Sequence, residues 1–406
     1  MAYTLATVHE KHLTQEFLSR DCGGFFEHVW GVHPIADVPH NTQLAYDGFR
    51  PSVVAFAPNQ TVIEGVSAYY RFLRRLYPLN VLVSQVRFAM YLVRLVRREG
   101  ISVVLSSDPY LCGLLGVIIK YLTGTPLVVW VVANYADVAS STGKPIMPRL
   151  FRKRWVESLI ERFVFSRADL VAGGNNDNLE FALRNGARRA KSTVFPVGKL
   201  IHPSHLIDPA VRTLDPAVQK WKGSRVFVYV GRLIETKCPE DVVRAFADVH
   251  RRDERTALVM VGDGTMREQL GALAKDMGLE ANVSFVGAVH QQRLSEILPG
   301  CFAALSPLTG RALIEVALAG LPVVAYDRDW QREFVDTSKG GIVVPFRDWR
   351  AMAAASIDLL GRADDARSMG HNARRRALEL CDLTQLYKHE QEAYEKLFAL
   401  RPSATQ

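Results

Sequence analysis

The chain has 406 residues, 48% of them hydrophobic, and a formal net charge of +8. That is more apolar residue than one core absorbs, because chains beyond about 250–300 residues usually divide, so two domains are expected. The positive balance leaves nucleic acid, anionic lipid and anionic small molecules open as partners, while five scattered cysteines without a CxxC pair imply neither a disulfide framework nor a zinc site and suit a reducing cytoplasm.

The first 60 residues carry the weakest pattern. The opening MAYTLATVHEKHLTQEF has no long apolar core ahead of a cleavage site, so no signal peptide is read. Residues 5–8 read as a short strand, 13–18 as a helix, 28–32 as a strand and 53–57 as a short buried strand. A helix is expected over about 68–76, with Tyr69, Phe72, Leu73 and Leu76 on one side and Arg71, Arg74 and Arg75 on the other. A second, over about 83–98, turns Phe88, Tyr91, Leu92 and Leu95 inward and gathers Arg87, Arg94 and Arg98.

A strand at 101–105, a helix at 111–121 and a strand at 127–132 follow. The apolar runs 111–119 and 127–133 fall short of the ~20 residues a spanning helix needs and read as buried elements. Asn134 and Tyr135 stand just past the strand, where ligands of α/β sheets normally sit. Next comes a helix with Arg149, Arg152, Lys153 and Arg154 on a basic side and Trp155, Leu159, Ile160 and Phe163 on an apolar side. A strand at 168–172 precedes a linker over 199–216. The arginine clusters at 71–75, 87–98, 149–154 and 184–191 admit two readings: solvated helix faces, or a surface for anionic lipid head groups or a lipid diphosphate.

From residue 224 strands and helices alternate regularly, which argues for a parallel sheet covered by helices. A strand at 226–230 ends in Gly231 and Arg232, with Lys237 in the loop beyond. Two cations there can reach one diphosphate from two directions and stabilise charge growing on a leaving group. Another strand runs into Gly262, Asp263 and Gly264, where the Asp reads as shaping its own turn; a third ends at Gly287.

The stretch SPLTGRALIEVALAGLPVVAYDRDWQREFV, residues 306–335, is the most informative. Gly310 permits close backbone approach, and the first amides of the next helix, at Arg311, Ala312 and Leu313, can hold a phosphate. Glu315 sits one turn in, where a carboxylate could accept hydrogen bonds from hydroxyls beside a diphosphate. The bland alternative is an ordinary loop–helix–strand junction. Asp327, Asp329 and Glu333 read as a polar loop rather than a metal site.

This stretch resembles the donor site of retaining glycosyltransferases of family 4, in which a run close to EGFGLxxLEAxAxGxPVVA holds the nucleotide sugar. Glu315 matches the second glutamate, and Ala317, Gly320 and Pro322 continue the match; the first glutamate would fall at Pro307 and is absent. The resemblance implies catalytic roles for Arg232, Lys237 and Glu315, donor contacts at Gly231, Gly262, Gly287, Gly310, Arg311, Ala312 and Leu313, and acceptor-side candidates at Asn134 and Tyr135. It implies the GT-B fold, an α/β architecture of two Rossmann-like parallel-sheet domains facing a cleft. These would be an acceptor domain over 1–200, a donor domain over 201–375, and a C-terminal helix over 376–406 packing back on the first.

The implied donor is a nucleotide diphosphate sugar, UDP or GDP, with no tightly bound cofactor and no essential metal. The implied acceptor is a glycan or lipid-diphosphate-linked saccharide of bacterial surface polysaccharide, met in the cytoplasm or on an anionic membrane surface. The rivals are a related GT-B enzyme such as a phosphorylase or epimerase, and a catalytically weak sugar-nucleotide-binding scaffold suggested by Pro307. A nucleic-acid binder lacks any characteristic module.

Overall fold

The computed structural model describes residues 4, 5, 8, 17–37, 51–148, 151–308 and 310–400. The chain forms two compact units, Met1–Pro196 with Thr384–Gln406, and Val197–Leu383.

In the first unit β1 (Val29–His33), β2 (Ser52–Ala57) and β3 (Gln60–Glu64) form a small sheet in the order β1-β3-β2. β1 lies parallel to β3, and β2 and β3 make an antiparallel hairpin. A 3-10 stretch, Arg71–Leu76, runs directly into α1 (Tyr77–Arg98). Then come β4 (Val104–Ser106), α2 (Leu111–Thr123), β5 (Leu127–Val131), α3 (Tyr135–Thr142), α4 (Arg154–Arg167), β6 (Leu170–Gly173), α5 (Asn176–Arg184) and β7 (Ser192–Val194). β4 to β7 pair in parallel in sequence order. β5, LVVWV, is buried along its whole length, as a parallel strand covered on both faces must be.

Several expectations for this unit need correction. Leu5 and Val8 are helical rather than extended, and the rest of 13–18 falls outside the described residues except Phe17 and Leu18, which are helical. The strand at 53–57 exists but is exposed over its first four residues, because β2 is an edge strand with a partner on one side only. The two helices expected at 68–76 and 83–98 are one run over Arg71–Arg98 that holds an 18-residue window of mean hydropathy 1.4, long and apolar enough by length and composition to cross a membrane. Half of that window is buried within the fold: Phe88, Leu92 and Leu95 face inward as expected, while Phe72 and Leu76 are exposed. Trp155, Leu159 and Phe163 of α4 are exposed too, since that helix turns Glu157 and Glu161 inward instead. Arg149 lies outside the described residues.

The second unit holds β8 (Arg225–Val230), α6 (Pro239–Arg252), β9 (Thr256–Val261), α7 (Arg267–Asp276), β10 (Val283–Gly287), α8 (Gln291–Ile297), β11 (Ala303–Ser306), α9 (Ala312–Leu318), β12 (Val323–Tyr326), α10 (Gln331–Ser338), β13 (Gly341–Val344), α11 (Trp349–Gly361) and α12 (Ala363–Leu380). Its six strands are parallel in the order β10-β9-β8-β11-β12-β13. Alternation along the strands feeds two cores: Val228, Val230 and Val259 pack with Leu313 and Leu318 on one face, and Phe227, Tyr229, Leu258 and Met260 pack with Phe246 and Val324 on the other.

The linker expected at 199–216 is a series of short 3-10 turns, Val197–Leu200, Pro203–Leu206 and Pro209–Val211, in the second unit. The last helix, α13 (Leu383–Ala399), belongs from Thr384 onward to the first unit. Its buried Tyr394 ring lies 5.0 Å from that of Phe26 and 5.8 Å from that of Phe195, and its Gln391 amide donates to the Cys22 carbonyl at 2.9 Å.

Candidate functional site

In the second unit β8, β9 and β10 step one way across the sheet and β11, β12 and β13 the other. The order therefore reverses between β8 and β11, where the loops from the strand carboxyl ends diverge and leave room for a ligand. The loop after β8 carries Gly231, Arg232 and the turn Glu235–Lys237; the loop after β11 carries Pro307 and Gly310. Gly310 takes φ 65°, and a Cβ added there would lie 3.9 Å from the Lys237 Nζ. The two loops thus meet at the Lys237 ammonium.

The Lys237 loop is held from below. Tyr229 is fully buried, and its hydroxyl donates to the Arg232 carbonyl at 3.0 Å and reaches the Lys237 carbonyl at 3.5 Å. Burial raises the Tyr229 pKa, so this donor keeps its proton. Behind Cys238, which adopts φ 49°, Asp241 accepts the Tyr326 hydroxyl at 2.9 Å and an Arg347 N–H at 3.4 Å. Burial lowers the Lys237 pKa, the neighbouring Arg232 lowers it further, and Asp329 opposes both. Two cations held close in a partly dry crevice favour an anion between them.

Glu315 stands on α9, 4% exposed, with the Arg311 Nε 3.7 Å from its carboxylate. Burial raises its pKa and Arg311 counteracts that. Arg311 also donates to the Leu200 carbonyl at 3.5 Å.

The glycines and amides of the site divide by what they touch. The Gly231 amide donates to Val261 O at 3.0 Å, that of Gly262 to Gly287 O at 2.8 Å, and that of Leu313 to Gly310 O at 3.1 Å. The first two N–H groups tie neighbouring strand ends together and the third closes the turn into α9, so all three are already used within the protein. Gly262, φ 138°, is required by packing, since a Cβ would come within 1.9 Å of the Gly231 carbonyl oxygen. At Gly287 a Cβ meets nothing within 4 Å. Ala312, the first residue of α9, is 8% exposed beside Leu313, which is fully buried.

Where the family pattern has its first glutamate, Pro307 is buried and its carbonyl accepts the Gln331 side-chain amide at 2.9 Å. Gln331, 1% exposed, also accepts from Ser306 Oγ at 2.8 Å and donates to Tyr326 O at 3.2 Å. Neither Gln331 nor Tyr229 was marked by the sequence; the only signals were a polar residue opening α10 and a hydroxyl-bearing ring inside an apolar strand. Asp263 accepts the Gly264 amide at 2.7 Å, the turn-shaping role its position suggests. His290 caps α8, its ring accepting the Arg293 amide, and Asp327 pairs with Arg332 at 2.6 Å.

In the first unit Asn134 and Tyr135 follow β5, and both are buried. The Asn134 side chain accepts the Asp137 amide at 3.3 Å, capping α3, and donates to Asp177 at 3.1 Å. Tyr135 packs edge-on between Tyr110 and Phe181 at 5.3 and 5.8 Å, and burial raises its pKa. The geometry gives both a supporting role in the turn after β5.

The family model "Glycosyl transferases group 1" matches residues 211–376, and "Glycosyl transferase 4-like domain" matches 42–198. Over 154 residues the chain is 32% identical to the GDP-mannose-dependent alpha-(1-6)-phosphatidylinositol monomannoside mannosyltransferase of Mycobacterium tuberculosis, covering 35% of this chain and 40% of that protein. The match thus spans well under two thirds of that relative's length. Among solved structures the chain resembles sucrose-phosphate synthase of Thermosynechococcus elongatus, with TM-score 0.71 and 17% identity over 95% of this chain and 94% of that one. It also resembles the Anabaena HepE protein in complex with UDP, with TM-score 0.63 and 17% identity over 82% and 91% of the two chains. At such identities these likenesses speak for the fold, and the two adjoining family models speak for the lineage: the chain belongs to the GT-B glycosyltransferases of family 4.

Proposed function

We propose that the chain moves a sugar, with retention of anomeric configuration, from a nucleotide diphosphate sugar to a hydroxyl of a glycan or lipid-linked saccharide. The observation that carries this reading is the convergence of Arg232, Lys237 and the Gly310 loop where the strand order reverses. In the transfer the bond from the anomeric carbon to the β-phosphate oxygen breaks, the acceptor oxygen bonds to that carbon on the same face, and the acceptor proton passes to the departing diphosphate. Arg232 and Lys237 stabilise the charge that gathers on that diphosphate, a task for which no metal is required. Glu315 accepts hydrogen bonds from donor hydroxyls once it is ionised, which Arg311 favours. Hexosyl or N-acetylhexosaminyl transfer in bacterial surface polysaccharide or glycolipid synthesis, at the cytoplasmic face of a membrane, fits this chemistry.

One relative is named for GDP-mannose and one fold neighbour carries UDP, so both bases belong in the test. Calorimetric titration of UDP-, GDP- and ADP-sugars into the wild type should give one preferred donor, with binding weakened by Arg232→Ala and by Glu315→Ala. Binding of none of them would overturn the reading. A second reading, a weakly catalytic sugar-nucleotide-binding scaffold, is favoured by the buried, Gln331-locked Pro307. Donor binding without turnover on any saccharide acceptor would select it.

A further inference from the structure

The first unit carries a surface that the donor chemistry does not use. Between Gly65 and Arg98 the sequence holds seven arginines (71, 74, 75, 87, 94, 97 and 98) and no acidic residue. Along the outward face of α1 Leu79, Leu82, Val86 and Met90 are exposed, Leu82 at 61% and Val86 at 54%, and Phe72 in the 3-10 stretch before it is 79% exposed. The spacing of three and four residues places Leu79, Leu82, Val86 and Met90 in one stripe. Arg71, Arg74 and Arg75 stand at one end, and Arg94, Arg97 and Arg98 at the other, all exposed.

The neighbouring helices repeat the arrangement. α2 packs against both α1 and α4, and the Arg97 guanidinium of α1 donates to the Leu122 carbonyl of α2 at 2.6 Å. Tyr121 of α2 is 66% exposed there. On α4, Trp155, Leu159 and Phe163 form an exposed i, i+4, i+8 stripe, and the Arg167 guanidinium sits 3.9 Å over the Phe163 ring. The two acids of α4 are turned inward: Glu161 accepts the Tyr110 hydroxyl and an Arg154 N–H, each at 2.6 Å, while Glu157 accepts the amides of Ile146 and Met147. Arg152, Lys153 and Arg162 remain exposed beside the stripe.

All three adjacent helices thus turn apolar side chains outward, and α1 and α4 set cations beside them, with Glu99, paired to Arg98 at 2.7 Å, the carboxylate at the end of α1. A solvated face has no reason to expose Phe72, Leu82 and Trp155. A surface meant for water would also mix charge signs. We propose that this helix layer is a docking face for an anionic lipid bilayer, on which α1 lies in the interface with its stripe at the boundary of head groups and acyl chains and its arginines among the phosphates. The buried half of α1, including Phe88, Leu92 and Leu95, stays in the unit's core, so the helix lies on the membrane and does not cross it. Anionic lipid is the occupant that meets both requirements, since it supplies apolar depth and negative head groups in one plane.

The inference deepens the lipid-linked acceptor part of the proposed function and rests on it. Its test needs neither donor nor acceptor, so the two can fail separately. The whole chain is sedimented with vesicles of phosphatidylcholine containing about one third phosphatidylglycerol, and with phosphatidylcholine alone. Binding to the anionic vesicles should exceed binding to the neutral ones by at least ~10-fold and should weaken as salt is raised. Replacing Arg71, Arg74 and Arg75 by Gln should lower it by ~100-fold, at about one kcal/mol per lost cation. Leu82→Ser with Val86→Ser, and separately Trp155→Ser, should each lower it severalfold, with unchanged far-ultraviolet circular dichroism and unchanged nucleotide-sugar titration. Equal binding to both vesicle types, binding to neither, or loss of a self-associated dimer in the same variants would overturn the proposal.

Discussion

The two units treat their apolar residues differently. In the second, helices and strands alternate without interruption and every strand feeds one of two cores; Ile207, Val211, Leu378 and Leu383 are the large hydrophobics that remain exposed among its described residues. In the first, exposed apolar side chains recur along α1, α2 and α4 and on the edge strand β2. An apolar stripe at helical spacing marks the face of a helix that avoids water, and in the second unit that face meets a core. In the first it is divided between the core and the outside, so the same pattern in sequence has two structural outcomes.

Substitutions should break this contrast in order of size. Gly262→Ala is expected to be the most damaging, by roughly 3 kcal/mol or more, because the new methyl collides with the Gly231 carbonyl at an unfavourable φ. Denaturant unfolding measures it, and Gly287→Ala, with open space around the methyl, should cost only about 1 kcal/mol. Leu270→Ala, at a fully buried site in the second unit, should cost ~2–5 kcal/mol, whereas Leu82→Ala on α1 should stay within about 0.5 kcal/mol. Similar losses at both sites would erase the distinction between the units.

The next effect is read as a pH profile. Burial pushes the His205 pKa down from 6.5 to about 4, while its ring shares a 2.7 Å hydrogen bond with Gln291. A depressed folded-state value means the unfolded chain takes up the proton first. The neutral ring's contribution is therefore complete above pH 6.5 and is lost as pH falls toward about 4. Wild-type stability should drop by up to ~3 kcal/mol across that window, and His205→Gln should remove the drop. Smallest is Tyr229→Phe, which takes one hydrogen bond from beneath Arg232 and Lys237 and should cost about 1 kcal/mol of donor binding with little change in core packing.

The second unit was legible because strand, loop and helix there each match one local pattern, and residue order around Gly310 and Glu315 carries the family resemblance. What stayed illegible is what depends on partners distant in sequence. Nothing near Pro307 announces that Gln331 locks it, and nothing in VFVYVGR announces that the Tyr229 hydroxyl turns back to hold the next loop. In the first unit the two expected helices meet without a loop, as a 3-10 stretch followed by α1, and Phe72 and Leu76 in the first of them face outward. Asn134 and Tyr135 were placed correctly after β5, yet hydrogen bonding and ring packing draw both inward.

The central claim is that Arg232 and Lys237 hold a diphosphate. It is tested most directly by titrating the preferred nucleoside diphosphate and the corresponding monophosphate into wild type and Lys237→Ala between neutral and alkaline pH. The wild type should prefer the diphosphate by ~10-fold or more, consistent with charge-assisted contacts of about 1.5–3 kcal/mol. That preference should fade as pH rises through the lowered Lys237 pKa, below the ordinary 10.5, because deprotonation removes the cation. Lys237→Ala should keep only the smaller preference that Arg232 supplies, and that remainder should not change with pH over this range. An undiminished diphosphate preference in Lys237→Ala would contradict the account.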